Sequence, residues 1–243
     1  MRFGAAILIA IALFQGDQDL RQTIVSSGRE RSYRVFVPDG FGNSGPGPAV
    51  ALFNGSGSSV DGLMDPWKDI ARRDGVMLIG PGALAQGAWR IPDDSPDFTQ
   101  EVVEALKARF PIDPRRVYLF GHSGGAGHVL LLGLLESEYF AAVGAHAGAL
   151  RSSDAPLLDV PKRKIPMAIW IGTKDQMVPL KMARDTLAVL TARGFPAKLA
   201  EINGHTHAYA ERAKEVTGEA WAFLQKEALP ADPKYYRYAF GRQ

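Results

Sequence analysis

At 243 residues the chain is long enough for one sizeable α/β domain and too short for two comfortable ones. Its 28 Lys and Arg balance 26 Asp and Glu, a formal charge of +2 with no dense basic run, which sets nucleic acid aside as a partner. There is no cysteine, so disulfides, thiolate metal sites, a cysteine nucleophile and a lipid on an N-terminal cysteine are all excluded.

In chain order, Met1-Arg2-Phe3 carries one positive charge and precedes the uncharged, mostly apolar run Gly4 to Phe14, the pattern of a secretory signal. Residues 1–16 are expected to be that signal and 17–243 one domain acting in the periplasm or medium. The apolar run is shorter than the roughly twenty residues a spanning helix needs, so no stable membrane insertion is expected after processing. Thr23 to Ser27 and Tyr33 to Pro38 are short β-type runs around the polar Gly28-Arg29-Glu30-Arg31, which predicts an antiparallel hairpin at a sheet edge.

Beyond the hairpin the pattern changes. Ala49 to Phe53, Val76 to Ile79, Val117 to Phe120 and Met167 to Ile171 are continuous apolar runs, as expected of strands covered on both faces. Ala142 to Ala145 and Lys198 to Ile202 are weaker candidates for the same sheet. Helical stretches are predicted between them over Val60 to Asp74, Asp97 to Phe110, Ala126 to Leu135, Leu180 to Gly194 and Ala210 to Lys226. Such alternation gives a mainly parallel sheet with right-handed crossovers and helices on both faces. Asp39 to Pro48 and Ala147 to Pro166 read as loops. The second has room for a turn of helix but not for a lid domain, so an open site is expected.

The most informative motif is Gly121-His122-Ser123-Gly124-Gly125, a G-x-S-x-G between a strand and a helix. A serine on that sharp turn is presented as a nucleophile, and the following helix N-terminus favours developing negative charge. Serine needs a base, itself oriented by a carboxylate, in the chain order Ser, Asp or Glu, His. Asp175 follows the strand ending at Ile171, at the edge where open α/β sheets place their sites. The base is His207 or His205, in Asn203-Gly204-His205-Thr206-His207-Ala208-Tyr209; His207, with an aromatic two residues on, is favoured. If His207 is the base, His205 supports it or touches substrate. An oxyanion hole needs two N–H donors. One is assigned to Gly124 and the other to the loop Asn54 to Ser59, at Ser56 or alternatively Gly57. Trp89, in a loop past the strand Val76 to Ile79, is a candidate for lining the cleft. His128 and His146 read as core histidines, and His122 as a residue that packs or hydrogen bonds locally. No His/Asp/Glu spacing suggests a metal, and no cofactor is called for.

From Ala49 onward the chain resembles the α/β-hydrolase superfamily, in particular the bacterial polyhydroxybutyrate depolymerase, feruloyl esterase and acetylxylan esterase-like group. The likeness is carried by Ile112 to Phe120 leading into Gly121 to Gly125, by Tyr139 to Val143, by Gly172-Thr173-Lys174-Asp175-Gln176-Met177-Val178-Pro179 and by the histidine loop. It implies serine esterase chemistry on Ser123, Asp175 and His207 or His205, acting on small or polymer-linked esters. Two features depart from the group: Asn54-Gly55 stands where many members carry His-Gly, and the cysteines of some secreted relatives are missing. The rival expectations are a serine peptidase of the same fold and a catalytically silent binding module. The tyrosine-rich Tyr235 to Phe240 is expected to pack back on the domain, with self-association or glycan binding as the alternative. Acyl and alcohol preference and oligomeric state are not encoded in these patterns.

Overall fold

The structure is a computed structural model that describes residues 16–85 and 88–237. The expected signal segment falls almost wholly outside the described residues, as do Tyr238, Ala239 and Phe240 of the C-terminal cluster. Among the described residues no helix is long and apolar enough to cross a membrane.

Eight strands form one sheet: β1 (Gln18–Ser26), β2 (Arg29–Val37), β3 (Gly47–Phe53), β4 (Met77–Pro81), β5 (Ile112–His122), β6 (Val143–His146), β7 (Met167–Gly172) and β8 (Ala197–Ile202). Their spatial order is β1-β2-β4-β3-β5-β6-β7-β8. β1 and β2 pair antiparallel, β2 meets β4 antiparallel, and the pairings from β4 through β8 are parallel. The hairpin and all six later strands therefore stand where the residue patterns put them. β1 begins earlier than its apolar residues suggested, because an edge strand with one solvated face carries Asp19, Arg21 and Thr23 outward in strict alternation.

The helices are α1 (Val60–Met64), α2 (Lys68–Asp74), α3 (Pro96–Lys107), α4 (Gly124–Leu135), α5 (Leu180–Ala192) and α6 (Tyr209–Leu224). The single helix expected over Val60 to Asp74 is instead two, joined by a tight 3₁₀ turn over Asp65–Trp67. Pro66 has no N–H to give the preceding turn, and that accounts for the break. The Ala147 to Pro166 segment holds only a 3₁₀ stretch, Ser152–Asp159. Alternate residues of the central strands feed two cores. Ala49, Ala51 and Phe53 of β3 face α3, α4 and α5, whereas Val50 and Leu52 face α1, α2 and α6. Burial on both faces is why these strands read as unbroken apolar runs. Of the C-terminal cluster, Tyr235 and Tyr236 pack back: Tyr235 lies edge-on to Tyr139 with its hydroxyl on Asp97, and Tyr236 donates to Glu138 at 2.6 Å.

A buried ion pair sits inside this apolar frame. Arg31 of β2 and Asp94, both nearly inaccessible, pair at 2.5 Å. Arg31 also donates to the Gly82 and Asp93 carbonyls, and Asp94 accepts from the Leu84 and Arg90 N–H groups. The pair thus ties the loop after β4, which carries Trp89, to the sheet. Removing one member strands a buried charge, which costs about 3–5 kcal/mol. Asp94→Ala should lose stability of that order in urea unfolding; a loss under about 1 kcal/mol would show that the loop is held by other contacts.

Candidate active site

The site lies at the C-terminal edge of β3, β5, β6, β7 and β8, and is organised by the backbone of one residue. Ser123 joins β5 to α4 with φ +54° and ψ −117°, a conformation that L residues rarely adopt. The turn closes only because its flanks lack side chains. A Cβ on Gly121 would sit 2.3 Å from the Gly125 carbonyl oxygen, and one on Gly125 would sit 2.0 Å from that of Phe53. Both obstacles are backbone, which cannot swing aside. The Ser123 N–H donates to the His146 carbonyl at 2.9 Å, which fixes the turn to β6.

Ser123 Oγ lies 2.8 Å from His207 Nε2, and His207 Nδ1 lies 2.8 Å from Asp175 Oδ2 and 3.1 Å from Oδ1. Asp175 Oδ1 also accepts from the Met177 and Val178 N–H groups, each at 2.9 Å. These main-chain donors hold the carboxylate in the turn after β7, and its side chain is fully buried beside a part-exposed His207. The serine, the carboxylate and one of the two candidate histidines therefore meet in a single file. His205 does not join them. It is buried, directed away from Ser123, with Nε2 3.1 Å from His146 Nε2. Gly172 permits this placement, since a Cβ there would lie 2.1 Å from the His205 carbonyl oxygen.

The loop after β3 faces the first turn of α4. A Cβ on Gly124 would lie 2.5 Å from Ser56 Oγ and 3.4 Å from the Ser56 nitrogen, so Ser56 is the loop residue packed against Gly124, whose N–H opens the helix. That N–H belongs to the helix turn whose donors have no intrahelical partners. Gly57 is exposed, with φ +74° and nothing near its Cβ position. The loop is braced from within: Asn54 Nδ2 donates to the Ser58 carbonyl at 2.6 Å, and Ser58 Oγ donates to that of Gly55 at 2.8 Å. It is braced from outside by Trp89, whose indole N–H donates to the Asn54 carbonyl at 2.8 Å. Trp89 stacks on His128, with ring centres 5.0 Å apart, and meets Phe53 edge-on. Its contacts are therefore those of a support for the loop after β3.

His128 is a core residue as its surroundings suggested, and burial pushes its pKa down to about 3. His146 is also fully buried but not in a purely apolar setting, since it bonds His122 on one side and His205 on the other. Sequence patterning missed this contact because it depends on register: His122 and His146 are aligned partners at the ends of neighbouring parallel strands. The usable signal was two histidines each closing an apolar strand. Burial, reinforced by the nearby His207, also lowers the His122 pKa to about 4, and burial holds His146 far below the usual imidazole range. No group of three or more His, Cys, Asp or Glu suited to a metal occurs among the described residues.

The family is shown by one of the comparisons with known proteins. The model of the dienelactone hydrolase family matches residues 14–229. A poly(3-hydroxybutyrate) depolymerase of Ralstonia pickettii is 28% identical over 127 residues, 47% of this chain, and the chain spans only 25% of that protein's length. A solved ferulic acid esterase superposes with a TM-score of 0.72 at 15% identity, over 88% of this chain and 99% of its own. The S-formylglutathione hydrolase FrmB of Staphylococcus aureus gives 0.69 at 15% identity, over 86% and 97%. At these identities the structural likeness bears on the fold alone.

Depressed histidine pKa values make stability depend on pH with a definite sign. His122, His128 and His146 are neutral when folded but take up protons near pH 6.5 when unfolded, so the unfolded state binds more protons below that pH. Their contribution is complete above about pH 6.5 and is lost as pH falls toward about 4, where His122 charges in the fold, at about 1.4 kcal/mol per pH unit for each histidine. Urea midpoints should fall steadily between pH 7 and pH 5; a flat profile would contradict the buried neutral assignment.

Proposed function

The chain belongs to the dienelactone hydrolase family, and we propose that it is a serine hydrolase of carboxylic esters. The observation that carries this reading is the unbroken file from Ser123 Oγ through His207 to the Asp175 carboxylate, 2.8 Å at each junction. A hydroxyl is a poor nucleophile at neutral pH, and a base at hydrogen-bond distance with its second nitrogen on a carboxylate supplies what it lacks.

In the proposed reaction Ser123 Oγ attacks the acyl carbon while its proton passes to His207 Nε2. Asp175 holds the Nδ1–H and stabilises the imidazolium. The oxyanion draws on the N–H groups of Gly124 and Ser56, with Gly57 as the alternative second donor, each worth on the order of 3 kcal/mol in the transition state. His207 returns its proton to the departing alcohol, and water then releases the acyl group with the same base. The short 3₁₀ segment Ser152–Asp159 in place of a lid supports an open cleft, suited to acyl groups carried on polymers as well as to small esters. The leader-like residues 1–16 support action outside the cytoplasm.

Hydrolysis of p-nitrophenyl acetate and butyrate tests the assignment. Ser123→Ala and His207→Ala should each lower kcat by about 10³-fold or more. Trp89→Phe, which removes the N–H on the Asn54 carbonyl, should lower kcat by about tenfold with KM little changed. Equal activity in wild type and Ser123→Ala would overturn the reading.

A further inference from the structure

Three histidines outside the Ser123–His207–Asp175 file form a second file of their own. His122 Nδ1 is 2.9 Å from His146 Nδ1, and His146 Nε2 is 3.1 Å from His205 Nε2. At the far end His205 Nδ1 faces Glu211 Oε2 at 3.4 Å. That contact is within ion-pair range but too poorly aligned for a hydrogen bond, so His205 Nδ1 is a buried nitrogen without a hydrogen-bond partner.

A neutral imidazole has one N–H and one lone pair, so the direction chosen at one end fixes every tautomer in the file. Glu211 makes the choice. Its carboxylate offers only acceptors, and a buried lone pair aimed at it would be repelled, so His205 Nδ1 carries the hydrogen. Thr206 Oγ1 donates to the same Oε2 at 2.8 Å, so that oxygen already serves as an acceptor. His205 Nε2 then accepts from His146 Nε2–H, and His146 Nδ1 accepts from His122 Nδ1–H. What remains at the near end is a lone pair on His122 Nε2. Burial, together with the neighbouring His207, keeps His122 from protonating near neutral pH.

That nitrogen borders the reaction centre. A Cβ built on Gly55 would lie 3.6 Å from His122 Nε2 and 3.2 Å from Ser123 Cβ, so the imidazole edge, the nucleophile and the oxyanion loop adjoin. His122 is partly exposed, and among the described residues its Nε2 makes no hydrogen bond. We propose that His122 reads the substrate: its Nε2 lone pair accepts a hydrogen bond from a hydroxyl near the scissile ester, favouring hydroxylated esters over those with a carbonyl at that carbon. The inference rests on the ester hydrolase reading. The hydroxyl can belong to the acyl chain or to the alcohol, and His146, His205 and Glu211 act as positioning residues that set the polarity.

Two substrate pairs separate the sources. The acyl arm compares p-nitrophenyl esters of β-hydroxyvalerate and β-ketovalerate; the alcohol arm compares butyrate esters of propylene glycol and hydroxyacetone. The quantity read is the hydroxy-to-keto ratio of kcat/KM in wild type divided by that in a variant, which cancels intrinsic reactivity. His122→Phe should lower the ratio about fivefold or more in one arm, the size of one hydrogen-bond mismatch. Glu211→Lys places a donor beside His205 Nδ1, reverses the file, and should shift the ratio at least as far toward the keto ester. Heteronuclear NMR of the ring nitrogens should find His122 Nε2 unprotonated in wild type and protonated in Glu211→Lys. A ratio unmoved in both arms by either variant, or a proton on His122 Nε2 in wild type, overturns the proposal. Should His122→Phe fail to fold, Glu211→Lys still decides, since its side chain is half exposed. Wild type that cleaves none of the four esters would sink the esterase reading and the selectivity with it, whereas normal cleavage with an unmoved ratio would sink the selectivity alone.

Discussion

The site depends on one backbone conformation, the positive φ of Ser123 between β5 and α4. A non-glycine residue held there costs on the order of 1–3 kcal/mol, which the surrounding structure must offset. It does so by close backbone packing. Gly121 and Gly125 let the helix start, β5 and the end of β3 approach to distances that any side chain would block. The same approach brings the Gly124 N–H, Ser56 and the serine oxygen into one small volume. Strain, helix N-terminus and loop geometry are thus consequences of a single turn.

Around that turn the polar groups are arranged by what burial costs. Asp175 is inaccessible, and two main-chain N–H groups and an imidazole occupy its oxygens, so the charge is held without moving. His122, His128 and His146 avoid that cost by remaining neutral. Arg31 and Asp94 use the third solution, a hydrogen-bonded ion pair, and through the loop it anchors the pair carries Trp89 to the Asn54 carbonyl. A contact well away from the serine thereby bears on the placement of the loop opposite Gly124.

Much of this was legible in the chain. Strands buried on both faces announce themselves as apolar runs, and a G-x-S-x-G between strand and helix has few other uses. Asp175 was found by its position after an apolar strand, because strand ends in a parallel sheet point to one edge. The histidine loop favoured His207 over His205 only slightly, since both follow β8 and three-dimensional packing, with Gly172 admitting the His205 backbone, is what turns His205 toward His146. His146 is the core residue its surroundings suggested, but its histidine partners were not foreseen. Its strand is four residues long and its neighbours are apolar, and nothing local reveals that register places it beside His122. The break at Pro66 is the reverse case, a local signal that a helical reading over Val60 to Asp74 passed over.

The central claim is that Ser123 is a nucleophile activated by its surroundings, and covalent capture tests it without assuming a substrate. The folded chain would be treated with a fluorophosphonate, and the adduct located by peptide mass mapping. The account predicts one phosphonyl group per chain, on Ser123, with labelling slowed strongly in His207→Ala but not in a variant of an exposed residue such as Lys181→Ala. Folded wild-type protein that resists the reagent, or carries the adduct on another residue, would contradict it.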